Sequence, residues 1–536
     1  MLKYALMIIT PSLLLLLGCS QITEEVANNN TENSFSKKVS LQITNKPNVI
    51  VFLVDDLGVN DTSLAMSQSK TLYNKRYKTP NLEKMAEQGI TLTNARANAI
   101  CVPSRVSLLT GQNFMRHQVK GDIVPTKNKS ETLAFPPAKV IDKPENMLPA
   151  LLQKQGYFTV HAGKYHVCHH CSSETSPTPE MAGFDINIGG SFYGAPGSYQ
   201  PVDEYGNVKQ PGRLKGLESY YQKNMHLTDA LTEEAMSALI PAVDKQQPFF
   251  LYLAHYAVHT PIQPHNKYLK NYKLTVGEPK QEAQYASMIE GVDASLGYVM
   301  NQLELWQVAD NTLVIFYSDN GGRVLGRGKK SLYGDWEFNF PLRSGKASNY
   351  EGGNRVPGVV KWPAGITANV SNTAPVMIED IYSTVLSVAG VDVKQRNDID
   401  GMDWSQFFTH NKTPDSFSKR AQFFAMPYHF EGTFFNGADF IDGGVEPATS
   451  VISDNWKLIY FFADERFELY NLADDRAEKA NLINQQPAQA KRLVDLLDSK
   501  MKQHNFDDIM PKRSVDGSAI NWPSIAFRRF SQITIP

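Results

Sequence analysis

Four short apolar runs constrain this chain most: Val49–Val54, Phe158–His161, Phe249–Ala254 and Leu313–Tyr317. Each is a near-continuous stretch of Val, Ile, Leu, Phe or their like, so each reads as a strand in a sheet covered on both faces. Helical patterns lie between them. Pro80–Gln88 follows Thr79 and stops at Gly89, with proline just inside its start and glycine just past its end. Asn146–Gln155 stops at Gly156, and Gln281–Trp306 is a longer stretch. Strands alternating with helices imply an α/β sandwich.

Reactive residues gather at one end of these strands. Asp55 and Asp56 follow the first run, Lys164 and His166 the second, His259 the third after a short loop, and Asp319 and Asn320 the fourth. Open α/β sheets bind ligands outside the carboxyl ends of their strands, so these groups are expected to converge. Asp55, Asp56, Asp319 and Asn320 offer hard oxygen donors. Three crowded carboxylates repel unless a cation neutralises them, and oxygen-only ligation suits calcium or magnesium. The plain alternative for a single Asp-Asp pair is a helix cap or a turn. Lys164 and His166 are two apart, so an extended segment aims both at one face.

The chain has 536 residues, more than one ordinary core, and two domains are expected. A net charge of −2 gives no global pull toward nucleic acid or membrane, so affinity for an anion must be local and no nucleic-acid partner is expected. After about Gly401 the pattern changes. Gln422–Ala425, Lys457–Phe462 and Glu468–Tyr470 are closely spaced strand-like runs, which suggests antiparallel pairing. Gln489–Gln503 places Leu493, Leu496, Leu497 and Met501 on one helical face. The expected division is a catalytic domain over residues 46–410 and a smaller α+β domain over 411–536. Lys3 and the apolar run Tyr4–Leu17 read as an export signal over residues 1–18, too short for a comfortable membrane span. Its end, Leu16-Leu17-Gly18-Cys19, resembles a bacterial lipoprotein signal, which implies a lipid anchor at Cys19. Ser20 after it fits sorting to an outer membrane. Residues 19–45 are a polar, Asn/Ser/Thr-rich tether.

One more motif stands out: Cys101-Val102-Pro103-Ser104-Arg105, running into Leu108-Leu109-Thr110-Gly111, in a chain with only four cysteines. Alone it passes for a small buried thiol before a helix. It occurs with Asp55-Asp56-Leu57-Gly58, Gly163-Lys164-Tyr165-His166, His259-Thr260-Pro261 and Ser318-Asp319-Asn320-Gly321. Pro341–Lys346 and Glu351–Pro357 complete the set. From about Asn48 to near Asn481 the chain therefore resembles the formylglycine-dependent sulfatases of the alkaline-phosphatase-like superfamily. The resemblance implies an α/β/α sandwich with a large mixed sheet, plus a smaller C-terminal domain of antiparallel sheet and helix. It implies a maturation enzyme that oxidises Cys101 to formylglycine, whose hydrate attacks sulfur. It also implies one Ca2+, with Mg2+ less expected, held by Asp55, Asp56, Asp319, Asn320 and an oxygen of the modified Cys101. Arg105, Lys164 and Lys346 then surround the sulfuryl group with positive charge, and Asp319 assists the attacking hydroxyl. His166 takes the proton of the second hydroxyl, and His259 with Lys346 protonates the departing sugar oxygen. Val258 stands where the family often has proline, a change expected to be tolerated.

The remaining features bear on substrate. Arg323, Arg327, Lys329 and Lys330 form either a solvated basic loop or a grip for neighbouring anionic groups. Gly189–Tyr199, Trp336, Phe338 and Phe340 offer sugar-stacking surfaces or core aromatics. With Cys19 lipidated and Cys101 oxidised, only Cys168 and Cys171 remain, for which a disulfide or a free thiol pair is favoured over zinc. An exported, anchored sulfatase points to a sulfated polysaccharide such as an algal galactan, ulvan or a glycosaminoglycan. Two competing readings remain open: a phosphodiester or phosphonate monoester hydrolase of the same superfamily, and a non-catalytic lipoprotein that binds anionic glycans with Cys101 unmodified.

Overall fold

The computed structural model describes residues 46–66, 70–120, 139–168, 176–206, 214–273, 280–323, 339–393, 396–408, 413–427, 430–431, 440–441, 444–462 and 465–506. The expected signal, the tether, Cys171 and the basic residues Arg327, Lys329 and Lys330 lie outside them, as do Trp336 and Phe338. The chain from Ile43 onward clusters as one unit.

Eight strands form the main sheet: β1 (Asn48–Val54), β2 (Ile90–Leu92), β3 (Phe158–Gly163), β4 (Ile186–Ile188), β5 (Phe249–Ala254), β6 (Thr312–Ser318), β7 (Gly358–Lys361) and β8 (Val370–Asn372). Their order is β4-β3-β5-β1-β6-β7-β2-β8. The block from β4 to β6 is parallel, and β7 runs antiparallel to both β6 and β2. The four apolar runs are thus neighbours at the centre of the sheet. Register aligns their ends: Gly163 pairs Ala254, Leu53 pairs Ala254 and Tyr317, and Val54 pairs Ser318. The residues that follow each strand therefore emerge in one row.

Why those runs lack polar alternation is visible in β1, where every residue is buried. Ile50, Phe52 and Val54 join the core layer that holds helices Leu227–Asp244 and Lys280–Leu305, while Val49, Val51 and Leu53 join the layer with helices Cys101–Thr110 and Asp380–Val388. Both faces are covered by helices, which gives the α/β/α sandwich. The pattern Asn146–Gln155 divides into a 3-10 turn, Pro144–Asn146, and a helix, Leu148–Lys154. Pro149 has no N–H to give and is tolerated only in a first turn, so the helix starts just before it.

A second sheet is antiparallel, ordered β9 (Gln422–Met426), β10 (Ala448–Ser453), β11 (Trp456–Phe461) and β12 (Phe467–Asn471). Helix Pro487–Gln503 lays Leu493, Val494, Leu497 and Met501 against Val451, Leu458 and Leu469, and Phe114 and Met115 share that core. A buried ion network crosses to the short helix Glu351–Asn354. Lys457 Nζ lies 3.0 Å from Glu351 and 2.9 Å from Glu478, and Arg96 reaches the other Glu351 oxygen at 2.9 Å. Removing one partner of a buried pair leaves a stranded charge, so Lys457→Met is expected to lower stability by about 3 kcal/mol in chemical denaturation.

Candidate active site

Each reactive side chain is placed by backbone bonds between adjoining strand ends. Asp55 N–H donates to Ala257 O (3.0 Å), and Val258 N–H returns a bond to Asp55 O (2.8 Å), so the turns after β1 and β5 are stitched together. Asp319 N–H donates to Val54 O at 3.1 Å. Asp56 has φ 60, a left-handed conformation that aspartate tolerates better than most residues, and its N–H donates to Asp319 Oδ1 at 3.2 Å. Cys101 is the first residue of helix Cys101–Thr110. The Lys346 loop is held beside it by Lys346 N–H to Gly322 O (3.0 Å) and Ala347 N–H to Ala99 O (2.7 Å). Gly321 permits that approach: a Cβ there would sit 1.9 Å from Gly352 O.

The result is a buried charge cluster. Asp55, Asp56, Asp319, Asn320, Arg105 and Lys164 are all fully buried, and Cys101 and Lys346 nearly so. Lys164 Nζ is 2.5 Å from Asp55 Oδ2, and Lys346 Nζ is 2.5 Å from Asp56 Oδ1 and 3.3 Å from Cys101 Sγ. Arg105 places Nε at 2.9 Å and Nη2 at 2.8 Å from Asp319 Oδ2, and donates through Nη1 to Lys164 O at 2.5 Å. His259 Nε2 lies 3.8 Å from Asp56 Oδ2, and Asn320 Nδ2 donates to Asp56 Oδ1 at 2.9 Å. Three carboxylates thus meet three cations.

Burial and neighbours set the protonation of each group. Burial and the adjacent Asp319 push Asp55 up to about 8, against the pull of Lys164. Burial also pushes Asp56 up, but Lys346 and His259 overcome it and hold the carboxyl well below the ordinary range. Burial and the charge of Lys164 hold His166 well below its ordinary value; burial and Lys346 do the same for His259. The Cys101 thiol is pushed up to about 11 by burial, which Lys164 and Lys346 only partly offset.

The donor set fits a hard divalent cation. Asp55 Oδ1, Asp56 Oδ2 and Asn320 Oδ1 are buried oxygens with no hydrogen-bond partner. Oxygens of Asp55 and Asp319 lie within 4.8 Å of each other and of Cys101 Sγ, and so do donor atoms of Asp56, His259 and Cys101. Orphaned buried carboxylate and amide oxygens are costly unless something binds them, and oxygen donors select calcium or magnesium. Asp55, Asp56, Asp319 and Asn320 would hold the ion.

All ten residues expected from the sequence fall in this region. Lys164 and His166 do so by a different route from the one their spacing suggests: β3 ends at Gly163, and His166 turns inward with φ 46 rather than extended. A Cβ at Gly194 would lie 2.6 Å from the His166 ring, so loop 189–199 packs directly on it. In that loop Tyr193 is exposed, whereas Tyr199 is fully buried and cannot stack on a sugar. Arg323 is buried, not part of a solvated loop, and its charge acts on His259 and Asp56. Cys168 is disulfide-bonded, which removes it as a zinc ligand; its partner lies outside the described residues. Sequence reading missed Asp61. Its Oδ2 accepts from Gly58 N–H (2.9 Å) and Tyr285 Oη (2.8 Å), and burial pushes the carboxyl up to about 7. A third aspartate in the same short loop as Asp55 and Asp56 was the available signal.

An α/β/α sandwich with a buried carboxylate cluster, ringed by cations and facing a cysteine at a helix start, defines the class: an α/β fold with a metal-type acidic site at the sheet's carboxyl edge. Comparison with known proteins narrows it. The Sulfatase family model matches residues 47–391, and the model described as N-sulphoglucosamine sulphohydrolase, C-terminal, matches residues 345–507. The chain belongs to the sulfatase family. It is 29% identical over 373 residues to human N-acetylgalactosamine-6-sulfatase, covering 66% of this chain and 64% of that protein, so it spans somewhat under two thirds of that relative's length. A Formosa agariphila protein named sulfatase is 28% identical over 536 residues, covering 88% of this chain and 89% of its own. The crystal structure of Ps i-CgsB in complex with k-i-k-neocarrahexaose superposes with a TM-score of 0.66 at 26% identity, over 91% of this chain and 98% of that one.

Proposed function

We propose that this protein hydrolyses sulfate esters on a carbohydrate, with Cys101 converted to formylglycine as the nucleophile and one Ca2+ in the acidic cluster. The observation that carries the reading is the convergence of Cys101 Sγ with oxygens of Asp55 and Asp319 and with Lys346 Nζ, in a buried cluster at the sheet's carboxyl edge. The calcium ion, when bound, neutralises charge on sulfate oxygens and acidifies a hydroxyl beside it. Formylglycine, as its hydrate, offers two hydroxyls on one carbon, so attack and release use different oxygens.

The chain's own groups do the rest. Lys164, Lys346 and Arg105 hold the anionic sulfuryl group. Arg105 is itself clamped by Asp319, so it cannot swing away. His166, neutral at rest, accepts a proton from the hydroxyl that expels sulfate. His259 donates Nδ1–H to Thr260 O at 3.0 Å, so in the neutral ring Nε2, which lies 3.8 Å from Asp56, carries no proton; it takes one up when the anionic sulfuryl group binds and passes it to the leaving oxygen.

A carbohydrate substrate is supported by the names of the relatives and by two exposed aromatics at the site. Tyr193 is 47% exposed beside the His166 loop, and Phe340 is 51% exposed. The Phe340 carbonyl accepts from Asn60 Nδ2 at 3.0 Å, and Asn60 sits on the loop that carries Asp56. Both rings are available to stack on sugar faces. We place the enzyme outside the cytoplasm on a lipid anchor at Cys19, acting on a sulfated polysaccharide or its oligosaccharides. The test is paired assays of the matured protein on sulfate and phosphate esters, with a panel of sulfated oligosaccharides. Turnover of sulfate esters at rates at least tenfold above the matched phosphates is expected; the reverse order favours the phosphoester alternative. Tyr193→Ala and Phe340→Ala are expected to raise KM for an oligosaccharide about tenfold each, while 4-nitrophenyl sulfate hydrolysis stays unchanged.

A further inference from the structure

We propose that Tyr199 is a positioning residue: its buried hydroxyl locks the turn that carries His259, and so sets where the leaving-group acid stands. Tyr199 is fully buried, and its Oη lies 2.6 Å from Tyr256 O and 2.9 Å from His259 O. One phenol proton is shared between the first and last carbonyls of the turn Tyr256–His259. That turn closes with His259 N–H to Tyr256 O at 3.0 Å. Its opposite side is already tied to Asp55 by the bonds at 3.0 and 2.8 Å. The turn is therefore gripped from two sides, by the acidic loop and by Tyr199.

Tyr199 is held firmly in its turn. Its ring stacks on His226 with centroids 5.3 Å apart and planes at 12°. Its N–H donates to Gln263 Oε1 at 2.6 Å, and its carbonyl accepts from Leu227 N–H at 2.9 Å, the first residue of helix Leu227–Asp244. The grip on the His259 turn is thus anchored to a long helix of the core, not to the loop alone. Among the described residues the hydrogen bonds of the His259 side chain are local, Nδ1 to Thr260 O and Thr260 Oγ1, and Asp56 stands 3.8 Å from Nε2, so the position of Nε2 follows the backbone of its own turn. A backbone shift there moves the acid off the leaving oxygen, and misplacement of a catalytic group by about 1 Å costs on the order of 10²-fold.

The proposal rests on His259 acting as general acid in the sulfatase reading, and a leaving-group comparison separates the two. A phenolate of high basicity needs a proton to depart, whereas a nitrophenolate does not. Tyr199→Phe keeps the stacked ring and removes only the hydroxyl. Tyr205→Phe is the control, because Tyr205 is also buried and donates to a backbone carbonyl, Met225 O at 2.9 Å, away from His259. With phenyl sulfate, kcat of Tyr199→Phe is expected to fall about tenfold or more with KM unchanged. With 4-nitrophenyl sulfate it is expected to stay within about threefold of wild type, and Tyr205→Phe to match wild type on both. Equal slowing on both esters, or no slowing on either, overturns the positioning role while the sulfatase reading stands. A matured wild type that turns over neither ester overturns both.

Discussion

Cys101→Ser folds like the wild type and loses turnover by about 10^4- to 10^6-fold, the scale of removing a covalent nucleophile. Serine is close in size to cysteine, and the side chain is only 5% exposed, so no packing reason for the loss exists. The cause is chemical. A serine oxygen that attacks sulfur becomes a sulfate ester with no second hydroxyl to expel the sulfate. The variant is therefore expected to sulfate itself once and stop, which intact-protein mass spectrometry reads as one added sulfuryl group on the peptide containing residue 101. The unmodified thiol is equally inert: burial pushes it up to about 11, so at neutral pH it is not a thiolate. Wild-type protein made without a maturation enzyme should then be inactive with its thiol intact. Full activity in Cys101→Ser would falsify the formylglycine reading.

Much of this was legible in the chain because each part is local in sequence. The central strands show as uninterrupted apolar runs, since a strand buried on both faces has no solvent side to mark with polar residues. Register then aligns their ends without further information, which is why Asp55, Lys164, His259 and Asp319 converge. The outer strands Ile90–Leu92, Gly358–Lys361 and Val370–Asn372 are too short to carry a pattern, and Ala448–Ser453 hides because Ala, Thr and Ser fill positions that are nonetheless buried. What sequence could not show is direction. Tyr193 and Tyr199 share one loop and one residue type, yet one faces solvent and the other is sealed under the His259 turn. That difference depends on contacts with Tyr256 and His226, remote in the chain. The same holds for His166, whose inward aim comes from a left-handed backbone that spacing cannot encode.

Asp319→Asn is expected to cost about 3–5 kcal/mol of stability, because it strands the Arg105 guanidinium in a site with no access to water. Both groups are fully buried, and two nitrogens of Arg105 point at one Asp319 oxygen. Asp55 is the nearest substitute at 3.8 Å, but Lys164 already claims that same oxygen at 2.5 Å. Asparagine keeps the shape, but with its oxygen accepting from Asp56 N–H its amide nitrogen faces the Arg105 donors, so the variant loses the charge and the acceptor together. Calcium supplies the second half of the test. In chelator, Asp55, pushed up to about 8, keeps its proton at neutral pH, and the wild type stands on the Lys346–Asp56 and Arg105–Asp319 pairs. Added Ca2+ is expected to engage the orphaned oxygens of Asp55, Asp56 and Asn320 and to stabilise the wild type by about 2.7 kcal/mol at a hundredfold excess over Kd. Asp319→Asn lacks one anionic ligand and gains less, so the gap between the two proteins widens when the ion is present. Denaturation curves of both proteins with and without Ca2+ measure all four states. A wild type whose midpoint ignores calcium and chelator alike removes the metal from the site. A variant that gains as much from calcium as the wild type removes Asp319 from its ligands.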